Sequence, residues 1–221
     1  MTDQEILSRI DHTLLKAGAS FAEIRTLCTE AVQYKTASVC IPPSYVKPVQ
    51  EIYGNTLTLG TVIGFPLGYS VRPVKAAETA QALADGAAEI DMVINIGDVK
   101  NRRFDRVLDE ITALKQILGN RILKVIVETC YLTVEEKIRL CEVVSNAGAD
   151  YIKTSTGFGT AGAVLEDIHL FKEHIGPQVK IKAAGGIRTR EDLEAFLHAG
   201  CHRIGTSAAV SLLQGGPGKA Y

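Results

Sequence analysis

Eight short runs of β-branched and apolar residues recur along the 221-residue chain, each followed by a stretch of helical periodicity. They are I-D-H-T-L (10–14), A-S-V-C-I (37–41), L-G-T-V-I-G (59–64), A-E-I-D-M-V-I (88–94), I-L-K-V-I-V-E (122–128), Y-I-K-T-S (151–155), V-K-I-K-A (179–183) and H-R-I-G (202–205). Strand–helix repeats of this kind imply a parallel sheet with right-handed crossovers. Eight units favour closure into a (β/α)8 TIM barrel, an α/β fold, over an open doubly wound sheet. No G-x-G-x-x-G follows the first run, which weakens a dinucleotide-binding reading. With no linker or low-complexity tract, residues 1–221 read as a single domain of ordinary barrel length, ending in a Gly-rich tail at 215–221 expected to be flexible.

The helical stretches have readable ends. Ser20 with Glu23 and Thr133 with Glu136 form capping-box patterns, and Thr189 is placed to cap the last long helix. Pro73 suits a helix first turn, and Gly86, Gly119, Gly148 and Gly200 mark C-terminal stops.

Composition narrows the function classes. A net charge of −1 gives no broad electrostatic claim on nucleic acid or anionic membrane. No apolar run reaches the ~20 residues of a membrane span, and the acidic N-terminus lacks a signal-peptide pattern. Five scattered cysteines without C-x-x-C suit free thiols in a reducing, cytoplasmic setting. The five histidines lack metal-ligand spacing, so no metal is expected.

Barrel active sites draw on the C-terminal ends of the strands. Those ends offer Asp11, Cys40, Asp91, Asn95, Glu128, Lys153, Lys182 and Ser207. Side chains alternate along a strand, so if Ile90, Met92, Ile152 and Ile181 face the helices, Asp91, Lys153 and Lys182 point into the barrel, as does Lys124. A lone strand carboxylate is commonly structural, and a single barrel lysine can be an ion-pair or phosphate partner. Two lysines on consecutive strands at one depth, with an aspartate from a third, point to chemistry. An ordinary lysine amine has a pKa of ~10.4, and lowering it to ~7–8 takes about 3–5 kcal/mol, which desolvation and a neighbouring cation supply. A neutral amine attacks a carbonyl to form a Schiff base, whose iminium eases cleavage of an adjacent carbon–carbon bond. Asp91, with water or Lys182, is placed to move the protons.

Glycine-rich turns follow the last three strands: T-S-T-G-F-G (154–159), A-A-G-G-I-R (183–188) and G-T-S-A (205–208). Such turns serve any α/β protein. In succession, with Arg188 and Ser207, they also suit a phosphate held by backbone N–H groups.

These motifs carry a family likeness. I-D-H-T-L-L-K-A (10–17), V-C-I-P-P (39–43), T-V-I-G-F-P-L-G (61–68), E-I-D-M-V-I-N (89–95), L-K-V-I-V-E-T (123–129), Y-I-K-T-S-T-G-F (151–158) and I-K-A-A-G-G-I-R (181–188) resemble, in order and across nearly the whole chain, the 2-deoxyribose-5-phosphate aldolases, a class I aldolase family. The resemblance implies reversible cleavage of 2-deoxy-D-ribose 5-phosphate to acetaldehyde and D-glyceraldehyde 3-phosphate, without metal or organic cofactor, by a homo-oligomer (dimer or tetramer). By motif position it assigns the Schiff base to Lys153, amine perturbation and proton transfer to Lys182, and a proton relay to Asp91. Asp11, Thr13 and Lys124 fall on supporting positions, and Gly157, Gly185, Gly186, Arg188, Gly205 and Ser207 on the phosphate site. Phe158 stands where some members have a phosphate-binding lysine, and Ala208 where some have a second serine. Some members also end in a tyrosine that assists proton exchange, a role that would fall on Tyr221. The competing expectations are another lysine-dependent sugar-phosphate aldolase, separable by its donor aldehyde, and a non-catalytic sugar-phosphate-binding barrel, which would bind ligand without a covalent adduct.

Overall fold

The computed structural model describes residues 1–215. Eight parallel strands close into a barrel in sequence order, each hydrogen-bonded to the next and the eighth to the first. They are β1 (Ile10–Thr13), β2 (Ser38–Ile41), β3 (Leu59–Ile63), β4 (Glu89–Val93), β5 (Ile122–Ile126), β6 (Tyr151–Lys153), β7 (Lys180–Ala184) and β8 (Arg203–Thr206). All eight expected strands are present, and the differences lie at their ends. The run 151–155 gives only three strand residues, because Thr154 and Ser155 already turn into the loop above the barrel.

The helices are α1 (Asp3–Leu7), α2 (Phe21–Tyr34), α3 (Val46–Tyr53), α4 (Arg72–Ala84), α5 (Ile96–Lys100), α6 (Phe104–Leu118), α7 (Val134–Asn146), α8 (Leu165–His174), α9 (Arg190–Ala199) and α10 (Ala209–Leu213). The boxes at Ser20 and Thr133 form on α2 and α7, and Thr189 caps α9 with Asp192 in reciprocal contact. Each satisfies backbone N–H groups that a helix start leaves unpaired. A further box, Thr2 with Glu5, opens α1, which packs against α10.

The core is a shell. Ile90 and Met92 of β4, Val125 of β5, Ile152 of β6, Ile181 of β7 and Ile204 of β8 point outward and pack with Ile24, Ile111, Leu114, Leu140, Ile168, Phe171 and Leu193 from the helices. Strand alternation sends the other set inward, and that set carries the buried charges: Asp11, Glu89, Asp91, Lys124, Lys153 and Lys182 are all buried. Most of the apolar burial that holds the fold therefore lies outside the barrel wall, leaving the interior to polar groups.

Candidate active site

Asp91 is the hub of the interior. Its Oδ2 accepts from Lys153 Nζ at 2.7 Å and from Lys182 Nζ at 2.7 Å, while Oδ1 accepts from Lys124 Nζ at 3.0 Å. Lys153 and Lys182 are direct register partners across β6 and β7, so the two lysines do stand at one depth. Lys182 also donates to Asp11 Oδ2 at 2.5 Å, and Lys124 approaches the same oxygen at 3.3 Å. Room for the Lys182 side chain comes from Gly205 on β8, where a Cβ would stand 3.1 Å from Lys182 Cε.

Electrostatics separates the amines. Burial pulls Lys153 below the usual lysine range. Asp91 opposes that pull, and the neighbouring Lys182 ammonium adds to it. Burial disfavours the ammonium of Lys182 as well, but Asp11 and Asp91 outweigh it and hold that amine above its ordinary value. Lys124 is raised in the same way by Asp11, Asp91 and Glu89. Burial works against the carboxylates of Asp11 and Asp91, yet the surrounding cations keep both far below the usual carboxylate range. Lys153 is thus the amine biased toward neutrality.

Above Lys153 opens a cleft, walled by Thr13, Thr156, Gly157, Phe158, the segment 184–188 and the segment 205–207. Gly157, Gly185, Gly186, Arg188, Gly205, Ser207, Thr13 and Lys153 all line it. Two of its loops touch backbone to backbone: Ala163 N–H donates to the carbonyls of Ala184 and Gly185, both at 3.1 Å, and a Cβ at Gly162 would stand 2.3 Å from the Gly185 carbonyl. Thr13 Oγ1 donates to the Asp11 carbonyl at 2.7 Å, fixing its position at the rim. Arg188 is exposed at the entrance, and Ser207 is half-buried just before α10.

One wall of the barrel mouth is apolar. Leu15, Cys40 and Val62 cluster with Phe65, which meets Phe158 edge-on at 5.3 Å between ring centroids. Phe158 is half exposed and brings no charge to the cleft.

Some expected groups fall elsewhere. Asn95 caps α5, its side chain accepting from Asp98 N–H at 3.3 Å. Cys40 reaches the interior, but burial pushes its thiol up to about 11, so it is not a reactive thiolate. Glu128 takes a left-handed backbone conformation (φ 55°) and turns its carboxylate to the N–H and hydroxyl of Thr156, bracing the loop after Lys153. Tyr221 lies outside the described residues. Sequence reasoning passed over Glu89 and Arg203, which pair with the cluster from one layer deeper. The signal was there: each lies two residues before an inward position, Asp91 or Gly205, and so shares its face.

A closed parallel barrel with buried amines beneath a cleft at the C-terminal ends of its strands defines an α/β-barrel enzyme. The chain belongs to the DeoC/LacD family of aldolases, whose model matches residues 6–215, and is therefore a lyase. It is 61% identical, over the full length of both chains, to a deoxyribose-phosphate aldolase of Clostridium botulinum (strain Alaska E43 / Type E3). It is 51% identical over 211 residues, 96% of each chain, to one of Clostridioides difficile (strain 630). Among solved structures it resembles the tetrameric deoxyribose phosphate aldolase of Aeropyrum pernix, with a TM-score of 0.88 and 31% identity over 96% of this chain and 91% of that one.

Proposed function

We propose that the chain cleaves 2-deoxy-D-ribose 5-phosphate reversibly to acetaldehyde and D-glyceraldehyde 3-phosphate, with Lys153 as the Schiff-base nucleophile. The observation that carries this reading is a buried amine, biased toward neutrality, at the floor of a cleft walled by glycine-rich turns. The neutral Lys153 amine adds to the C1 aldehyde of the open-chain sugar, and loss of water gives an iminium. Deprotonation of the C3 hydroxyl then breaks the C2–C3 bond, and its electron pair flows to the iminium nitrogen. Glyceraldehyde 3-phosphate leaves; protonation of the enamine carbon and hydrolysis release acetaldehyde and restore the amine. Asp91 Oδ2, 2.7 Å from both amines, is the atom through which a proton passes between Lys153 and Lys182. Lys182, held charged by Asp11 and Asp91, perturbs Lys153 and donates or accepts the proton.

The phosphate sits at the other end of the cleft, where Gly157, Gly185, Gly186, Gly205 and Ser207 offer backbone N–H groups and a hydroxyl, and Arg188 offers charge. With Phe158 and Ala208 at their positions, Arg188 and the backbone carry more of that affinity than in relatives with a lysine and a second serine there. No cofactor enters this scheme. Among the described residues no helix is long and apolar enough to cross a membrane. We place the enzyme in the cytoplasm, in deoxyribonucleotide catabolism, as a homo-oligomer; the tetramer of the Aeropyrum pernix relative supports the last point.

Borohydride trapping tests the reading. Incubation with deoxyribose 5-phosphate, reduction, digestion and mass analysis should locate the adduct on the Lys153 peptide. Binding without any adduct would favour a non-catalytic barrel, and an adduct on Lys182 would reverse the two lysine roles.

A further inference from the structure

The ion pairs inside the barrel close into a circuit. Arg203 donates to Asp11, Asp11 holds Lys182, Lys182 holds Asp91, and Asp91 holds Lys124. Lys124 then donates to Glu89 Oε2 at 2.5 Å, and Glu89 Oε1 accepts from Arg203 Nη2 at 3.1 Å. Three cations alternate with three carboxylates, so the ring is neutral by itself. Lys153 joins it through a single carboxylate oxygen, Asp91 Oδ2, which Lys182 already occupies. The other titratable groups facing the Lys153 amine lie outside the ring. Cys40 of β2 stays a thiol, and the Glu128 carboxyl at the end of β5 is raised by burial and committed to Thr156.

We propose that Glu89 and Arg203, which line no part of the cleft, are positioning residues for the nucleophile: by completing a neutral ring they leave Lys153 as a seventh charged group with no carboxylate of its own, and so select it over Lys124 and Lys182 for the uncharged state. Net charge in a dry interior is costly, and the easiest relief is loss of a proton from the amine with the fewest carboxylate contacts. Lys124 reaches three carboxylates and Lys182 two, while Lys153 reaches one. The directions of the four cations agree: Lys153 is lowered, and Lys124, Lys182 and Arg203 are raised. This inference rests on Lys153 being the Schiff-base residue.

The test is the pH profile of kcat/KM for deoxyribose 5-phosphate cleavage, paired with the pH dependence of borohydride trapping by acetaldehyde. The acid limb reports the interacting amines as a group. Arg203→Met takes one cation from the ring, so a proton on Lys153 becomes the missing counter-charge. The limb should move up by about one pH unit, with activity about tenfold lower below it and recovered above it. Glu89→Gln takes one carboxylate away, and the limb should move down by a similar amount. Arg203→Met with Glu89→Gln removes one charge of each sign and should return the limb to the wild-type position. The inference is overturned if both single variants keep the wild-type limb, if both move it the same way, or if the double variant does not restore it. Should Arg203→Met fail to fold, Glu89→Gln decides alone, since only a downward shift agrees. An absent Lys153 adduct in the wild-type enzyme would instead defeat the assignment of function, so the two failures are distinguishable.

Discussion

Lys75 in α4 and Lys153 in β6 are both buried, and burial pulls both amines below the ordinary lysine range. Their surroundings differ. Lys75 Nζ donates to Glu110 Oε2 at 2.9 Å and to the Val93 carbonyl at 2.8 Å, between two helices and the outer face of the barrel. It has a carboxylate of its own, while Lys153 shares one with Lys182 and Lys124 and opens onto a cleft. A depressed buried amine is therefore not enough to mark a nucleophile. What distinguishes Lys153 is the cleft above it and the lack of a carboxylate of its own.

Methionine at each position gives the largest test of that contrast. Lys153→Met should lose the borohydride adduct and about 10⁴-fold or more of the turnover, as removal of a covalent nucleophile does. Lys75→Met should keep the adduct and lose stability, by about 3–5 kcal/mol in denaturant unfolding, because Glu110 is left buried without its partner. Burial shifts Lys75 down and raises Glu110, so the pair returns less than its desolvation costs. Lys75→Met with Glu110→Leu should accordingly recover most of the stability. Loss of the adduct in the Lys75 variant would break the contrast.

A smaller effect is expected at Lys182. In Lys182→Leu, Asp91 loses one of its cations and Lys153 takes over as counter-charge. Lys153 is lowered in the wild type, so activity rises with pH as its amine deprotonates; in the variant that rise should begin at higher pH. Turnover at pH 7 should fall roughly 10–100-fold for a shift of one to two units, with partial recovery under alkaline conditions. An unchanged limb would mean that burial alone sets the Lys153 amine.

Much of this was legible in the sequence because two periodicities carry it. Period-two alternation separates Ile90 and Met92 from Asp91, and Ile152 from Lys153, so the inward set could be named without coordinates. Helix ends were legible where a side chain caps them locally, as at Ser20, Thr133 and Thr189. The ring was not legible, because its contacts join residues up to 192 positions apart, as between Arg203 and Asp11. No local pattern says which inward cation meets which inward carboxylate once the barrel closes and its strands stagger. The Lys75–Glu110 pair escaped notice for a related reason: on a helix, a lysine reads as a surface residue until tertiary packing covers it. Asn95 shows the converse, a polar residue at a strand end that serves a cap rather than the cleft.

The smallest effect belongs to a third lysine, which extends the contrast to the surface. Lys100 at the end of α5 donates to Glu136 Oε2 at 2.6 Å, a shorter contact than that between Lys75 and Glu110, but its side chain is 43% exposed. Water and salt already solvate this ammonium, so the pair gains little from meeting and leaves no buried charge behind when broken. Lys100→Ala should cost about 0.5 kcal/mol or less in chemical unfolding, shrink further in high salt, and leave both the adduct and the pH profile where they were. A loss approaching that of Lys75→Met would mean that contact distance, rather than burial, sets what each lysine contributes, and the distinction drawn between Lys75 and Lys153 would need another basis.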